Sequence, residues 1–424
     1  MQYFLILLKL FFLYIQYHDI YLYFIKNYYT WYLTFNFMTS LEKACFDILN
    51  KNMWFTDQSL YLLYDTESPL ALMLSNSWIS ILWEMNTAVI REFKNPPQPL
   101  YRGWLINPDN PHIKEQNRVV TSHNIEENTR IWFNHHLVIE TKNDDDIENS
   151  EVNLIKNDLI SLPKGSIVIL VQSTNFRLST FRIRLELFNR GIHVVEFNHL
   201  AYIRDEEFPI FVDSLIYRTP EYIRLQNIFD EITSWDKNTR IQSVNGENLI
   251  FWPIEKIRGN TGDYYHSENK GWTFPIWELF TEAIDLTHVN GKCLIDSYPR
   301  EDFSVEICTP FELIIKNGRV LPSEHFPTWF AKLYDWIVQF EWEVMVRELG
   351  FGLNPAISID NPLSDINFYE RKVWVHLSLW KKHGIYGKKL PKTEIQRFHI
   401  DVFVALESVF IGDIQAFANG KWMI

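Results

Sequence analysis

SIVILVQS (166–173), TFRIRLELFNR (180–190) and IHVVEF (192–197) are the three consecutive segments that decide the fold of this chain. The first and third are short apolar runs of strand length, and the middle one has the apolar spacing of a helix that Gly191 ends. A strand, a helix and a second strand in this order form a βαβ unit, whose two strands run parallel. The turn after the first strand lacks the glycines of a dinucleotide-binding loop, so a nicotinamide-dependent dehydrogenase is not indicated.

The sequence changes character beyond about residue 236. Asn-Gly pairs, a strong signal for a hairpin turn, separate extended apolar segments there. These pairs occupy positions 245–246, 290–291, 317–318 and 419–420. One amphipathic helix is predicted at about 327–342. Residues 236–424 are therefore predicted to form a β-rich, largely antiparallel domain.

The segment between residues 38 and 235 is predicted to hold a helical lead-in followed by an α/β domain. Apolar residues recur at helical spacing from Met38 to about residue 93, after Thr39 or Ser40 as a helix cap, and a further helix starts at Thr219-Pro220. The predicted fold class is α/β plus α+β. An amino-terminal α/β domain with the parallel βαβ unit precedes a carboxy-terminal β-rich domain.

Residues 1–37 differ in composition from everything after them. They hold 15 aromatic residues, although the whole chain is only 16% aromatic. Lys9, His18 and Asp19 interrupt the apolar run that a membrane anchor needs, and a secretory cleavage site with small residues is missing. We interpret the segment as a mis-annotated upstream extension, translated from AT-rich DNA, with Met38 as the true start. We expect no stable membrane anchor.

Charge and cysteine content exclude several classes of function. The formal net charge is -13 and the isoelectric point is about 5.5, so a phosphate-binding surface rich in Lys and Arg is not indicated and nucleic acid is a poor partner. Cys45, Cys293 and Cys308 form no CxxC pair, which argues against a thiolate zinc site and a disulfide framework. We expect a cytoplasmic protein.

Metal-binding side chains stand inside apolar segments at two places near the carboxyl end. In RFHIDVFVALE, His399 and Asp401 are two residues apart, so both project from one face of a strand. In NFYERKVWVHLSLW, Glu370 and His376 also share a face, but about 20 Å separates them on a straight strand at about 3.3 Å per residue. We therefore expect a break in the strand near Glu370-Arg371. Taken singly, each segment also fits an ordinary strand.

A third candidate is Glu348 in WEVMVRELGFGLNP. It is predicted to end a strand, and the following Gly350-x-Gly352 suits a tight bend close to something compact. Together with the two segments above, it makes a mixture of imidazole and carboxylate that zinc, cobalt and manganese accept. Several carboxylates suit two adjacent divalent ions better than one.

These segments resemble the thermophilic aminopeptidase family, the metallopeptidases known as aminopeptidase T and aminopeptidase S. The family pattern has a Pro-x-Gly-Glu block, a Glu-x-Gly-x-Gly-x-Asn block, a Glu shortly before a His, and a final His-x-Asp. This chain carries FPIWELFTEA, ELGFGLNP, YERKVWVHLSL and FHID in that order. The resemblance implies six metal ligands: Glu278, Glu348, Glu370, His376, His399 and Asp401.

The resemblance also implies a mechanism. Two zinc, cobalt or manganese ions would activate a water that releases amino-terminal residues from small peptides or amides, with Glu348 as the base and Tyr386 or His383 stabilising the oxyanion. It further implies a homodimer. The chain departs from the family where Trp277 and Trp380 replace small residues, and these indoles either crowd the pocket or pack in the core. Glu370 and His376 are six residues apart, whereas the corresponding pair in the family is five apart. His383 stands where the family has a tyrosine.

Two other functions remain open. The fold is also similar to that of the 2,5-dihydroxypyridine dioxygenases, which hold a single Fe(II) ion; Glu348, His399 and Asp401 match their ligands. Aromatic walls at Trp277 and Trp380 would suit a flat ring. The third possibility is a noncatalytic dimeric scaffold that keeps the ligands for stability.

Overall fold

The computed structural model describes residues 39–83, 88–93, 150–174, 183–233, 238–266, 270–300, 304–379 and 400–424. The proposed upstream extension and several predicted site residues lie outside these ranges. The site residues concerned are Trp380, His383, Tyr386 and His399.

Helices are concentrated in the first half of the described chain. They are α1 (Ser40–Asp47), α2 (Pro69–Leu82), α3 (Ser150–Ser161), α4 (Ile183–Asn189), α5 (Phe208–Ser214), α6 (Thr219–Thr233), α7 (Thr328–Glu341) and α8 (Ile366–Tyr369). A π-helical turn spans Ile48–Asn52, and 3-10 turns span Leu200–Tyr202, Asp205–Glu207 and Leu286–His288. The predicted starts at Thr39 and Thr219 are confirmed: the Thr39 hydroxyl accepts from Glu42 N, and its own N–H donates to the Glu42 carboxylate.

The strands divide into two sheets. The first holds β1 (Leu60–Tyr64), β2 (Ala88–Glu92), β3 (Ile167–Val171), β4 (His193–Phe197) and β8 (Gly271–Thr273). The second holds β5 (Thr239–Ser243), β6 (Asn248–Phe251), β7 (Arg258–Gly259), β9 (Glu278–Glu282), β10 (Asn290–Pro299), β11 (Val305–Lys316), β12 (Arg319–Val320), β13 (Val346–Gly352), β14 (Trp374–Leu379), β15 (Ile400–Val404), β16 (Leu406–Ile411), β17 (Ile414–Ala418) and β18 (Lys421–Trp422).

The first sheet is parallel and has the strand order β2-β1-β3-β4-β8. Strands β3 and β4 pair in register from Ile167 opposite His193, with α4 between them, so the predicted βαβ unit is confirmed. Strand β8 returns to this sheet after residue 236 and pairs with β4. The boundary at residues 235 and 236 stays a prediction.

The helical lead-in is only partly correct, because β1 and β2 interrupt it. Strand β1 (LYLLY) lies between β2 and β3, and its first four residues are fully buried. A strand covered on both faces is apolar at every position, so it lacks the alternation that separates a strand from a helix in sequence.

The second sheet is antiparallel, so the mixed fold class is confirmed. Three of the four Asn-Gly pairs make turns between paired strands, at 245–246, 317–318 and 419–420. The fourth prediction is wrong, since Asn290 and Gly291 begin β10. A Cβ on Gly291 would lie 2.1 Å from Asn248 O, so the glycine there permits close backbone approach.

Apolar side chains of both sheets share one continuous core. Phe197 of β4 packs against Phe274, which leads into β9, with ring centroids 5.7 Å apart. The predicted amphipathic helix near 327–342 is confirmed as α7. Among the described residues no helix has the length and apolarity needed to cross a bilayer.

Candidate metal centre

Four neighbouring strands of the antiparallel sheet bring the predicted ligands to one face. Gly352 of β13 lies opposite Glu278 of β9, and Gly350 lies opposite His376 of β14. On β15, Asp401 lies opposite Ser378, whose hydroxyl donates to the Asp401 carboxylate. Because residues opposite one another project from the same face of a sheet, their side chains converge.

Glu370 reaches the same place from outside the strands. It follows the single turn of α8, which begins after Asp365, whose carboxylate accepts from Asn367 N at 2.9 Å. Glu370 N donates to Ile366 O at 3.2 Å, and the next strand begins only at Trp374. The break predicted near Glu370-Arg371 is therefore confirmed. It folds the Glu370 carboxylate back towards His376.

Two overlapping groups of ligand atoms result, each with all members within 4.8 Å of one another. One group is Glu278, Glu348 and His376, and the other is Glu370, His376 and Asp401. His376 belongs to both. All five side chains are buried, from 7% exposed for Glu278 to 0% for Asp401. The structure thus brings together five of the six predicted ligands, while His399 and the predicted catalytic residues His383 and Tyr386 lie outside the described ranges.

The glycines beside Glu348 have a different role from the one predicted. Strand β13 does not end at Glu348 but continues to Gly352, so the prediction of a tight bend there is wrong. A Cβ on Gly350 would lie 2.0 Å from His376 Nε2. A Cβ on Gly352 would lie 1.8 Å from Lys372 O and 2.7 Å from Glu370 O. Both glycines are required because the imidazole and the 370–372 backbone lie directly on β13.

The electrostatics of the cluster favour a bound cation. Burial and the neighbouring carboxylates raise the pKa of Glu348 well above its ordinary range, and burial does the same for Glu370. Burial alone would lower the pKa of His376, but Glu278 and Asp401 together raise it. Buried like charges at this distance are stable only when protonated or neutralised. Imidazole and carboxylate donors of this kind fit a divalent ion such as zinc, cobalt, manganese or iron.

Glu282 was missed by the sequence analysis. It is 1% exposed, lies opposite Glu348 across β9 and β13, and its charge contributes to the raised pKa of Glu348. Its spacing of four from Glu278 is the available signal, because an even spacing along a strand places both side chains on one face.

A buried arginine also went unnoticed. Arg371 is 2% exposed, and its Nη1 contacts the Glu278 carboxylate and lies 2.5 Å from Glu370 Oε1. The Glu278 carboxylate is engaged on both sides, since its other oxygen lies 3.1 Å from His376 Nε2. One guanidinium therefore links a carboxylate of the first ligand group to a carboxylate of the second.

A second buried cation lies beside the cluster. Lys372 Nζ donates to the Tyr369 hydroxyl at 3.0 Å and lies 4.2 Å from the centroid of that ring. It also lies 5.2 Å from the ring of Phe403, which in turn packs against His376. Burial lowers the pKa of Lys372 to about 8, although Asp296 opposes the shift.

Trp277 packs in the core. It is 2% exposed and stacks on Tyr222 of α6, with ring centroids 4.3 Å apart and an interplanar angle of 15°. Its φ of 96° lies in the left-handed region, where the family pattern has a glycine. The stacked, buried indole offsets a backbone cost of about 1–3 kcal/mol. Of the two alternatives for this tryptophan, the structure favours core packing.

The fold is similar to that of solved structures whose sequences are only distantly similar. No protein-family model and no curated sequence matches the chain. Among solved structures, 2,5-dihydroxypyridine dioxygenase from Pseudomonas putida aligns with a TM-score of 0.54 and 11% identity, over 91% of this chain and 98% of the other. Wild-type AmpT from Thermus thermophilus aligns with a TM-score of 0.51 and 10% identity, over 91% of this chain and 99% of the other.

Proposed function

We propose that the chain is a metal-dependent hydrolase that cleaves an amide bond in small peptides or amino-acid amides. The observation that carries the proposal is the buried convergence of four carboxylates, in two sets of two, on one shared imidazole, His376. The fold likeness to AmpT, an aminopeptidase, supports the same reaction class. The proposal includes a homodimer and a cytoplasmic location.

The residues divide into ligands and a base. Glu278, Glu370, His376 and Asp401, together with His399, would hold the metal, which when bound lowers the pKa of a coordinated water to about 7 and polarises a carbonyl. Glu348 is the proposed base, because its buried carboxylate lies beside Glu278 and His376, and burial with the neighbouring carboxylates raises its pKa and so makes it a stronger proton acceptor. It would then return that proton to the leaving amine.

Burial of the cluster limits the substrate. Glu370 is 2% exposed and His376 is 1% exposed, so a reacting bond must reach buried ligands in surroundings of low dielectric. A small amide with a compact side chain fits this restriction better than a folded protein or a long peptide.

The test is an assay of short peptides and amino-acid amides with added zinc, cobalt or manganese. We expect Glu348→Gln to lower turnover by about 100-fold or more, because it removes the base while keeping the side-chain shape. Glu407→Gln is the matched control, since Glu407 is exposed on β16. Cleavage that is equal in wild type and Glu348→Gln, or absent with every metal, contradicts the proposal.

A mononuclear iron dioxygenase is the second candidate. The fold likeness to the dihydroxypyridine dioxygenase favours it, together with an arginine that already neutralises two carboxylates of the cluster. The same preparations with Fe(II), oxygen and a hydroxylated aromatic ring test this candidate. Turnover of the ring without amide cleavage would favour the dioxygenase over the hydrolase. A chain that binds no metal would favour the noncatalytic scaffold.

A further inference from the structure

Arg371 lies where the two ligand groups meet. Its Nη1 contacts Glu278 from the group that includes Glu348, and lies 2.5 Å from Glu370 of the group that includes Asp401. The four carboxylates around the shared imidazole carry enough negative charge that they would otherwise suit two divalent ions. The guanidinium therefore supplies, between Glu278 and Glu370, the positive charge that a second ion would supply.

The backbone holds Arg371 in this place. Its N–H donates to Phe368 O at 3.1 Å, and its carbonyl accepts from Asn354 N at 2.9 Å. Asn354 is 0% exposed, and its side chain in turn donates to Ser214 O at 2.9 Å. Gly352 lets this segment lie directly on β13. A side chain that begins from so fixed a backbone and is itself 2% exposed has little room to leave the cluster.

The charge of Arg371, like its position, disfavours a second cation in the cluster. A guanidinium remains protonated at every physiological pH, so it neutralises carboxylates permanently. It also repels a divalent cation placed beside it, and this repulsion is strong in a buried site where solvent screens little.

We infer that Arg371 takes the place of a second ion. Each chain would then bind one divalent ion, and the guanidinium of Arg371 would supply the positive charge that a second ion brings to the site. This inference rests on the proposed function, because it concerns the same site, and it specifies a hydrolase that works with one metal. The number of ions per chain, rather than turnover, is the direct readout.

The experiment loads the purified full chain with excess zinc, removes free metal by gel filtration and measures zinc per chain by mass spectrometry. We expect one ion in wild type and in Arg371→Lys, which keeps the charge, and two ions in Arg371→Gln, which removes it. Arg184→Gln is the matched control. Arg184 is 6% exposed and paired with Glu196 at 2.6 Å in the parallel sheet, so its loss should leave the count at one.

Loading with manganese gives a second readout. Electron paramagnetic resonance distinguishes an isolated Mn²⁺ ion, expected for wild type, from the coupled pair expected for Arg371→Gln. Two ions in wild type overturn the inference, and so does a folded Arg371→Gln that still binds one. If Arg371→Gln does not fold, wild type and Arg371→Lys decide: one ion in each supports the inference, and two in either overturns it.

Failure of this inference is distinguishable from failure of the proposed function. One ion per chain without amide cleavage leaves the inference standing and removes the hydrolase. Two ions per chain with amide cleavage overturn the inference and support the hydrolase. No ion in wild type or in any Arg371 variant ends both.

Discussion

Replacement of Gly350 by alanine tests whether His376 is a metal ligand. The backbone of Gly350 accepts an L-residue, because its φ lies outside the left-handed region, so the effect should come from the new methyl group. That methyl would lie 2.0 Å from His376 Nε2, and ordinary contact begins at 3.4 Å, so the imidazole must move by about 1.4 Å. A zinc–nitrogen bond of about 2.1 Å tolerates about 0.2 Å. His376 therefore leaves the coordination sphere.

We expect Gly350→Ala to weaken zinc binding by about 100-fold or more, which corresponds to about 2.7 kcal/mol. Competition against a chelating dye measures this affinity. Gly420→Ala is the control: its φ of 72° makes alanine cost about 1 kcal/mol of stability, but nothing lies within 4 Å of the added methyl. It should therefore bind zinc as wild type does. A folded Gly350→Ala protein with wild-type affinity would refute the role of His376.

The remaining predictions concern thiol reactivity, stability and the ligands outside the described residues. Burial, with Asp296 and Glu306, raises the pKa of Cys308 to about 11, so its labelling by a thiol reagent should accelerate about tenfold per pH unit between about pH 7 and 10; a flat profile contradicts this. Asp65→Asn should lower the free energy of unfolding by about 1–3 kcal/mol, since Ser173 N donates to one Asp65 oxygen at 2.8 Å and Ser173 Oγ donates to the other; an unchanged urea midpoint would exclude it. His399→Ala should abolish most metal uptake and His383→Ala should affect turnover only, so equal metal loss in both would contradict the ligand assignment.

Much of the candidate site was visible in the sequence because the relevant signals are local. Alternation along a strand placed His376 and Asp401 on defined faces, and the length of a straight strand required the break after Glu370. These inferences need only the repeat of an extended chain, which is the same in every sheet. The βαβ unit was predictable for the same reason.

Other predictions failed where neighbours in space decided the outcome. Strand β1 looked helical because its sequence is apolar throughout, and only its position between β2 and β3 explains why. Gly350 and Gly352 looked like a bend, whereas they clear space for an imidazole and a backbone that arrive from β14 and the turn before it. The residues next to a glycine in sequence do not indicate which atoms will pack against it in the folded chain.

The sequence alone established the two kinds of sheet and most of the ligand types, because spacing and composition act over a few residues. Tertiary structure alone decided which carboxylates meet, that Glu282 joins them, and that Arg371 lies between Glu278 and Glu370. Arg371 and Glu278 are 93 residues apart. Their contact depends on the order of strands in the sheet and on the turn at α8, and the energy of a buried charge depends on distances that no local pattern encodes.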